Sequence, residues 1–212
     1  MSIEKIKENG IIAIIRGHRP EDIVSIVGAL HEGGVRTVEI TMDTPGIGDV
    51  IERVLAEFGR EMLIGAGTVL DPESARLALM AGARFIFSPS LNVETIRMAK
   101  RYGAISIPGV LTPTEILTAY EQGADAVKVF PISVLGPEYL KAVRDPLPHI
   151  PIIPTGGITL HNIGAYFQNG VIAVGLGGAL VPKTTRVDSV YLQELKRRAA
   201  QFVDSVRQVR QP

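Results

Sequence analysis

The chain has 212 residues, 46% hydrophobic and 21% charged, with 22 basic and 22 acidic side chains and no formal net charge. That is an ordinary composition for a protein with one sizeable core, and it offers no electrostatic footprint for nucleic acid or an anionic membrane. With no cysteine present, disulfides, thiolate catalysis and Cys-based zinc or iron–sulfur sites are excluded.

Glu4, Lys5, Lys7 and Glu8 occupy the beginning of the chain, where a signal peptide would place an apolar stretch. No apolar run approaches the roughly 18 residues needed to span a bilayer, so a cytoplasmic protein is expected. From there, runs rich in Ile and Val alternate with amphipathic stretches. Ile11–Ile15 reads as a strand and Pro20–His31 as the helix after it. The alternation continues with strand Arg36–Ile40 and helix Ile47–Phe58, then strand Met62–Ala66 and helix Pro72–Ala81. Strand Arg84–Phe87 precedes helix Val93–Arg101, and strand Ala104–Ile107 precedes helix Pro113–Gln122. Strand Ala126–Phe130 leads to helix Gly136–Arg144, and strand Ile150–Ile153 to helix Leu160–Gln168. The last strand is Ile172–Gly175, and a terminal helix is expected over Ser189–Val209. Its basic residues, Lys196, Arg197, Arg198, Arg207 and Arg210, read as a solvated face.

Gly34, Gly59, Gly82, Gly103 and Gly123 recur at intervals of 20 to 25 residues, and Gly170 follows at the end of another helix. Such glycines suit helix C-termini, where a left-handed residue turns the chain back. Prolines near several helix starts fit the first turn, where the missing N–H is not needed. Short strands alternating with helices imply right-handed crossovers and parallel pairing. Eight such units predict a single-domain (β/α)8 barrel spanning residues 1–212, with 189–212 as a terminal helix and tail. An open doubly wound sheet is the alternative.

In a barrel, alternate strand residues point inward and chemistry gathers at the C-terminal strand ends. Ala126, Lys128 and Phe130 share one face of their strand, as do Thr37, Glu39 and Thr41, and Ile12, Ile14 and Arg16. Lys128 is the residue of greatest interest. An ammonium among valines and phenylalanine must be paired, held in a polar cavity or partly neutral, and a partly neutral lysine attacks carbonyl carbon. A structural Lys128–Glu39 ion pair, with Arg16 merely capping a carboxylate, is the competing reading. Buried pairs make poor stability devices. Gly156 and Gly157 after the seventh strand, and Gly177 and Gly178 after the eighth, expose backbone N–H groups where barrels commonly hold phosphate. Either segment alone reads equally well as a tight turn. Gly65-Ala66-Gly67-Thr68 lacks the spacing of a dinucleotide fingerprint. His18, His31, His149 and His161 are scattered and make no case for a metal.

These segments, taken in order, resemble the 2-keto-3-deoxy-6-phosphogluconate (KDPG) aldolase / 4-hydroxy-2-oxoglutarate (KHG) aldolase family. The matching stretches are Ile12-Ala13-Ile14-Ile15-Arg16, Val38-Glu39-Ile40-Thr41, Gly65-Ala66-Gly67-Thr68-Val69, Phe87-Ser88-Pro89, Ile107-Pro108-Gly109-Val110, Val127-Lys128-Val129-Phe130-Pro131 and Pro154-Thr155-Gly156-Gly157-Ile158. The resemblance implies a (β/α)8 barrel, a homotrimer, a small keto-acid substrate, and Schiff-base catalysis without metal or cofactor. It implies Lys128 as the imine-forming lysine and Glu39 as the general acid–base. Arg16 and Thr68 would hold the pyruvate-derived oxygens, Pro89 and Phe130 would wall the nucleophile, and Thr155 would bear on stereochemistry at the cleaved bond. Gly156, Gly157, Gly177 and Gly178 would bind phosphate.

Two positions depart from the family pattern. Asp43 stands where many members carry arginine, and Gly178 where many place a serine. Gluconate, galactonate, unphosphorylated and oxoglutarate substrates are therefore not separated by the sequence. The rival classes are a phosphate-binding barrel isomerase or synthase using Lys128 only as a charge, and a non-catalytic binder of keto acids or phosphates.

Overall fold

The structure is a computed structural model that describes residues 3–210; residues 1, 2, 211 and 212 of the expected domain lie outside the described residues. Helix α1 (Glu4–Asn9) precedes β1 (Ile11–Ile15), α2 (Ile23–Glu32), β2 (Thr37–Thr41), α3 (Ile47–Phe58) and β3 (Leu63–Gly67). Next come α4 (Pro72–Met80), β4 (Phe85–Phe87), α5 (Val93–Arg101), β5 (Ile105–Ile107), β6 (Gly109–Val110) and α6 (Pro113–Glu121). The chain continues through β7 (Val127–Val129), a 3-10 turn at Ile132–Val134, α7 (Gly136–Arg144), β8 (Ile152–Pro154), α8 (Ile163–Gln168), β9 (Val174–Leu176) and α9 (Ser189–Arg210).

The fold is a parallel α/β structure whose strands form a six-stranded sheet, β5-β4-β3-β2-β1-β9, and a three-stranded sheet, β6-β7-β8. All recorded pairings are parallel, with Glu39 opposite Ile14 on one side and Gly65 on the other. The run 105–110 supplies a strand to each sheet, and a parallel bridge between Thr155 and Gly175 joins β8 to β9.

Period-two alternation divides the core into two apolar sets. Ile12, Ile14, Leu63, Phe85, Phe87, Ile105, Ile107, Ala126, Ile153 and Ala173 pack together on the inner faces of the strands, with Ile6 of α1 against them. Ala13, Ile15, Val38, Ile40, Ile64, Ala66, Ile86, Val127, Val129 and Ile152 pack with the apolar faces of the helices. Each strand thus buries both of its faces, as near-continuous apolar runs require.

Helix starts follow local chemistry. Asp71 accepts from the Ser74 amide at 2.6 Å and Asn92 from Thr95 at 3.0 Å, while Thr112 and Glu115 form a reciprocal capping box. Pro72 and Pro113 occupy the first turn as expected. Two helices begin later than the sequence suggests. Arg19 binds Asp22 at 2.9 Å in a turn that delays α2 to Ile23, and Asn162 closes on the Thr159 amide at 2.8 Å ahead of α8. Most of the recurrent glycines adopt positive φ, but Gly59 does not, having φ −64°. A Cβ there would instead crowd the Leu55 carbonyl oxygen.

Candidate active site

Every residue given a catalytic, substrate-binding or phosphate-binding role from the sequence lines one cavity of about 440 Å³ at the C-terminal ends of the strands. Arg16 follows β1, Glu39 is central in β2, Thr68 follows β3 and Pro89 lies just beyond β4. Lys128 is central in β7 with Phe130 one residue beyond it, and Thr155, Gly156 and Gly157 follow β8. Gly177 and Gly178 follow β9. The burial of a lysine and a carboxylate among these groups follows from strand parity, because both stand on the face carrying Ile12, Ile14 and Ala126.

Lys128 is 5% exposed. Its Nζ lies 4.1 Å from the centroid of the Phe87 ring and 4.9 Å from that of Phe130, and no carboxylate among the described residues lies within ion-pair distance of it. Burial lowers its pKa to about 8; the charge of Glu39 opposes the shift and that of Arg16 adds to it. The aromatic faces attract the charged form but cannot accept a transferred proton.

Glu39 is 1% exposed, and its buried Oε2 has no hydrogen-bond partner. Burial raises its pKa to about 7; Lys128 and Arg16 pull the value down, and Asp43 pushes it up. Room for the carboxylate comes from Gly67, where a Cβ would overlap it. Two titratable groups of opposite charge, each driven toward its neutral form near physiological pH, face the same cavity. Such an arrangement suits proton exchange better than it suits a structural ion pair.

The guanidinium of Arg16 donates to the Thr68 hydroxyl. Thr68 has a positive φ of 55°, a strained conformation for a β-carbon-bearing residue that concentrates at ligand-holding positions. Thr155 is buried and its Oγ1 lacks a partner, so a second polar atom waits in the wall. The amides of Gly156, Gly157, Ile158, Gly178 and Ala179 donate to no backbone carbonyl among the described residues, and all five residues line the cavity. Gly177 accepts from Leu180 and Val181, which curls the segment into a single tight turn.

Asp43 is solvent-exposed and outside the cavity wall, although its charge is felt at Glu39. None of the four histidines lines the cavity. His31 contacts Glu61 at 3.0 Å, and His149 packs on the Tyr120 ring. Lys183, which the sequence did not single out, does line it. It lies in the connection between β9 and α9, where no periodic pattern marks which side chains turn back toward the site. The only available signal was a cation five residues beyond a glycine pair.

The family model for KDPG and KHG aldolase matches residues 2–197. The chain is 37% identical over 199 residues to 2-dehydro-3-deoxy-6-phosphogalactonate aldolase of Escherichia coli K12, covering 93% of this chain and 95% of that one. It is 38% identical over 197 residues to 2-dehydro-3-deoxy-phosphogluconate aldolase of Pseudomonas aeruginosa, covering 91% and 89%. Among solved structures it is similar to KDPG aldolase from Legionella pneumophila, with pyruvate captured as a covalent carbinolamine intermediate. The TM-score is 0.84 and the identity 29%, over 92% of this chain and 94% of that one.

Proposed function

The chain belongs to the KDPG and KHG aldolase family, and from that premise we propose that it is a class I aldolase in which Lys128 forms a Schiff base with a 2-keto-3-deoxy sugar acid. The substrate is 2-keto-3-deoxy-6-phosphogluconate, cleaved to pyruvate and glyceraldehyde 3-phosphate, with 4-hydroxy-2-oxoglutarate cleaved to pyruvate and glyoxylate as a further reaction. The observation that carries this reading is a buried amine, free of any carboxylate contact, opening with Glu39 onto a cavity of substrate size.

The neutral Lys128 amine attacks the C2 ketone, forming a C–N bond while the carbonyl oxygen takes up a proton. Glu39, in its acid form, protonates the resulting hydroxyl, which leaves as water and gives a protonated imine. Glu39, now a carboxylate, removes the C4 hydroxyl proton directly or through one water. The C3–C4 electron pair moves to C3 and on toward the iminium nitrogen, releasing the aldehyde and leaving an enamine. Protonation at C3 restores the iminium, and water hydrolyses it to pyruvate and free amine. A carboxyl group with a pKa near 7 populates both forms at neutral pH and so serves both steps. Arg16 and Thr68 hold the carboxylate of the substrate, and Pro89 and Phe130 confine the carbon chain. Thr155 presents a hydroxyl near the cleaved bond, and the glycine amides take the phosphate.

Cleavage of the C4 epimer, the 6-phosphogalactonate analogue, is the second reading; it is favoured by the similarity to the E. coli enzyme of that name. The finer architecture supported here is one closed (β/α)8 domain, since the 105–110 run and the Thr155–Gly175 bridge connect the two sheets at both ends. A cytoplasmic location is part of the same proposal; no helix among the described residues is long and apolar enough to cross a membrane. A homotrimer fits the exposed apolar patch of Leu70, Leu77, Met80 and Tyr102 on and beside α4 and α5. Sedimentation equilibrium tests that assembly.

The test of function is incubation with pyruvate and borohydride, followed by peptide mass spectrometry. A reduced pyruvyl adduct on Lys128 is expected. Retained aldolase turnover with Lys128 unmodified would sink the mechanism. A coupled pyruvate assay on the two epimeric phosphates and 4-hydroxy-2-oxoglutarate ranks the substrates.

A further inference from the structure

We propose that Lys183 is a specificity-determining residue of this site, its ammonium closing the glycine cradle over the phosphate at the far end of the substrate chain. The inference rests on the aldolase reading above and extends it by naming the charge that the cradle otherwise lacks.

The five free amides contributed by residues 156–158, 178 and 179 supply hydrogen bonds and partial charge, but no full positive charge. Gly178 adds no hydroxyl. A phosphate dianion desolvated by such a cradle needs compensation from a nearby cation. Two cations besides Lys128 line the cavity, Arg16 and Lys183. Arg16 is committed elsewhere, since its guanidinium reaches the hydroxyl of Thr68 beyond β3. That leaves it on the β1–β3 side of the mouth, where the keto-acid end would sit.

Lys183 reaches the mouth from the connection that follows β9. Its stem lies over the bare backbone of Gly17, where an added Cβ would stand 3.2 Å from Cε and 3.5 Å from Nζ. Gly17 has φ +72° and joins β1 to the turn before α2, so this contact holds the lysine along the β9–β1 edge, beside residues 177–179. The ammonium has no carboxylate within ion-pair distance among the described residues. An exposed cation without a carboxylate partner, its stem beside Gly17 and lining the same cavity as five free amides, is arranged for an anionic ligand. Lysine suits the task as a mobile point charge that can follow the phosphate as the aldehyde departs.

The experiment compares wild type, Lys183→Met and Lys183→Arg in the condensation direction, with pyruvate and either glyceraldehyde 3-phosphate or glyceraldehyde. For Lys183→Met, KM for the phosphorylated aldehyde should rise roughly 10-fold or more, the size of one charge-assisted contact. The kcat should change little, kcat/KM for glyceraldehyde should hold, and Lys183→Arg should retain most of the preference. Equal loss on both aldehydes, no loss on either, or a wild type indifferent to the phosphate would each overturn the proposal. Borohydride trapping of pyruvate on Lys128 is run on all three proteins. Its failure in wild type defeats the parent reading, whereas normal trapping without phosphate selectivity defeats only the role of Lys183.

Discussion

Replacing Lys128 by methionine asks whether this amine is held in the cavity at the expense of fold stability. The ammonium is 5% exposed, and its pKa falls from 10.5 to about 8, chiefly through burial. That drop corresponds to roughly 3 kcal/mol by which the folded state disfavours the charged lysine relative to the unfolded chain. Methionine has similar length, no charge, and a thioether that packs well against the Phe87 and Phe130 rings. Glu39 loses an attractive neighbour and is driven further toward its neutral acid, so little penalty is added there at pH 7. Lys128→Met should therefore be more stable than wild type by about 1–3 kcal/mol at pH 7 while losing aldolase activity. The sign of the pH dependence provides an internal control. Between about 8 and 10.5 the unfolded chain binds the lysine proton and the folded chain does not, so wild-type stability should rise through that window. The variant should lack that component of the rise. Urea denaturation at fixed protein concentration, from pH 7 to pH 10, measures both effects. A variant less stable by about 1 kcal/mol or more would refute the reasoning, because Lys128 and Glu39 would then be a structural pair.

Three further outcomes are expected. Gly67→Ala puts a methyl group into the space of the Glu39 carboxylate; kcat should fall at least as far as in Glu39→Gln, and pyruvate trapping on Lys128 should slow, as read by stopped borohydride reactions. Glu39→Gln should lower kcat by roughly 10²–10⁴, and unchanged turnover would remove Glu39 from the proton transfers. The kcat/KM profile should rise with pH as Lys128 loses its proton near pH 8, and a profile already flat from pH 6 upward would contradict a depressed lysine acting as nucleophile.

Much of the site was legible in the sequence because it is written in strand parity. Counting alternate residues from Lys128 to Ala126, and from Glu39 to Thr37 and Thr41, places them on faces that the two apolar sets bear out. The glycine-rich segments after β8 and β9 were legible for the same reason, as strand ends. What escaped depends on contacts between distant residues. The short helix α1 has too few turns to display a pattern, and its Ile6 declares itself only by packing against Ile12 and Phe85. The break of 105–110 into β5 and β6 turns on Pro108, which supplies a carbonyl to Lys128 but has no N–H to donate. Lys183 was hidden because the fold-back of a connection is a property of what it packs on, here Gly17, 166 residues earlier. The arginine-to-Asp43 difference was visible, but its exposed position was not.

The floor beneath Lys128 is sealed by Ile6, Phe85, Phe87, Ile105 and Ile107, all but inaccessible to solvent. A cavity closed on that side imposes a sequence on traffic. In the proposed mechanism the aldehyde half of the product would stand between the pyruvyl enamine and the exit and so would leave first, and the water that frees pyruvate from Lys128 would enter by the route the aldehyde has just vacated. Product inhibition should accordingly show an ordered pattern, with pyruvate the last to dissociate and the first to bind in the reverse direction.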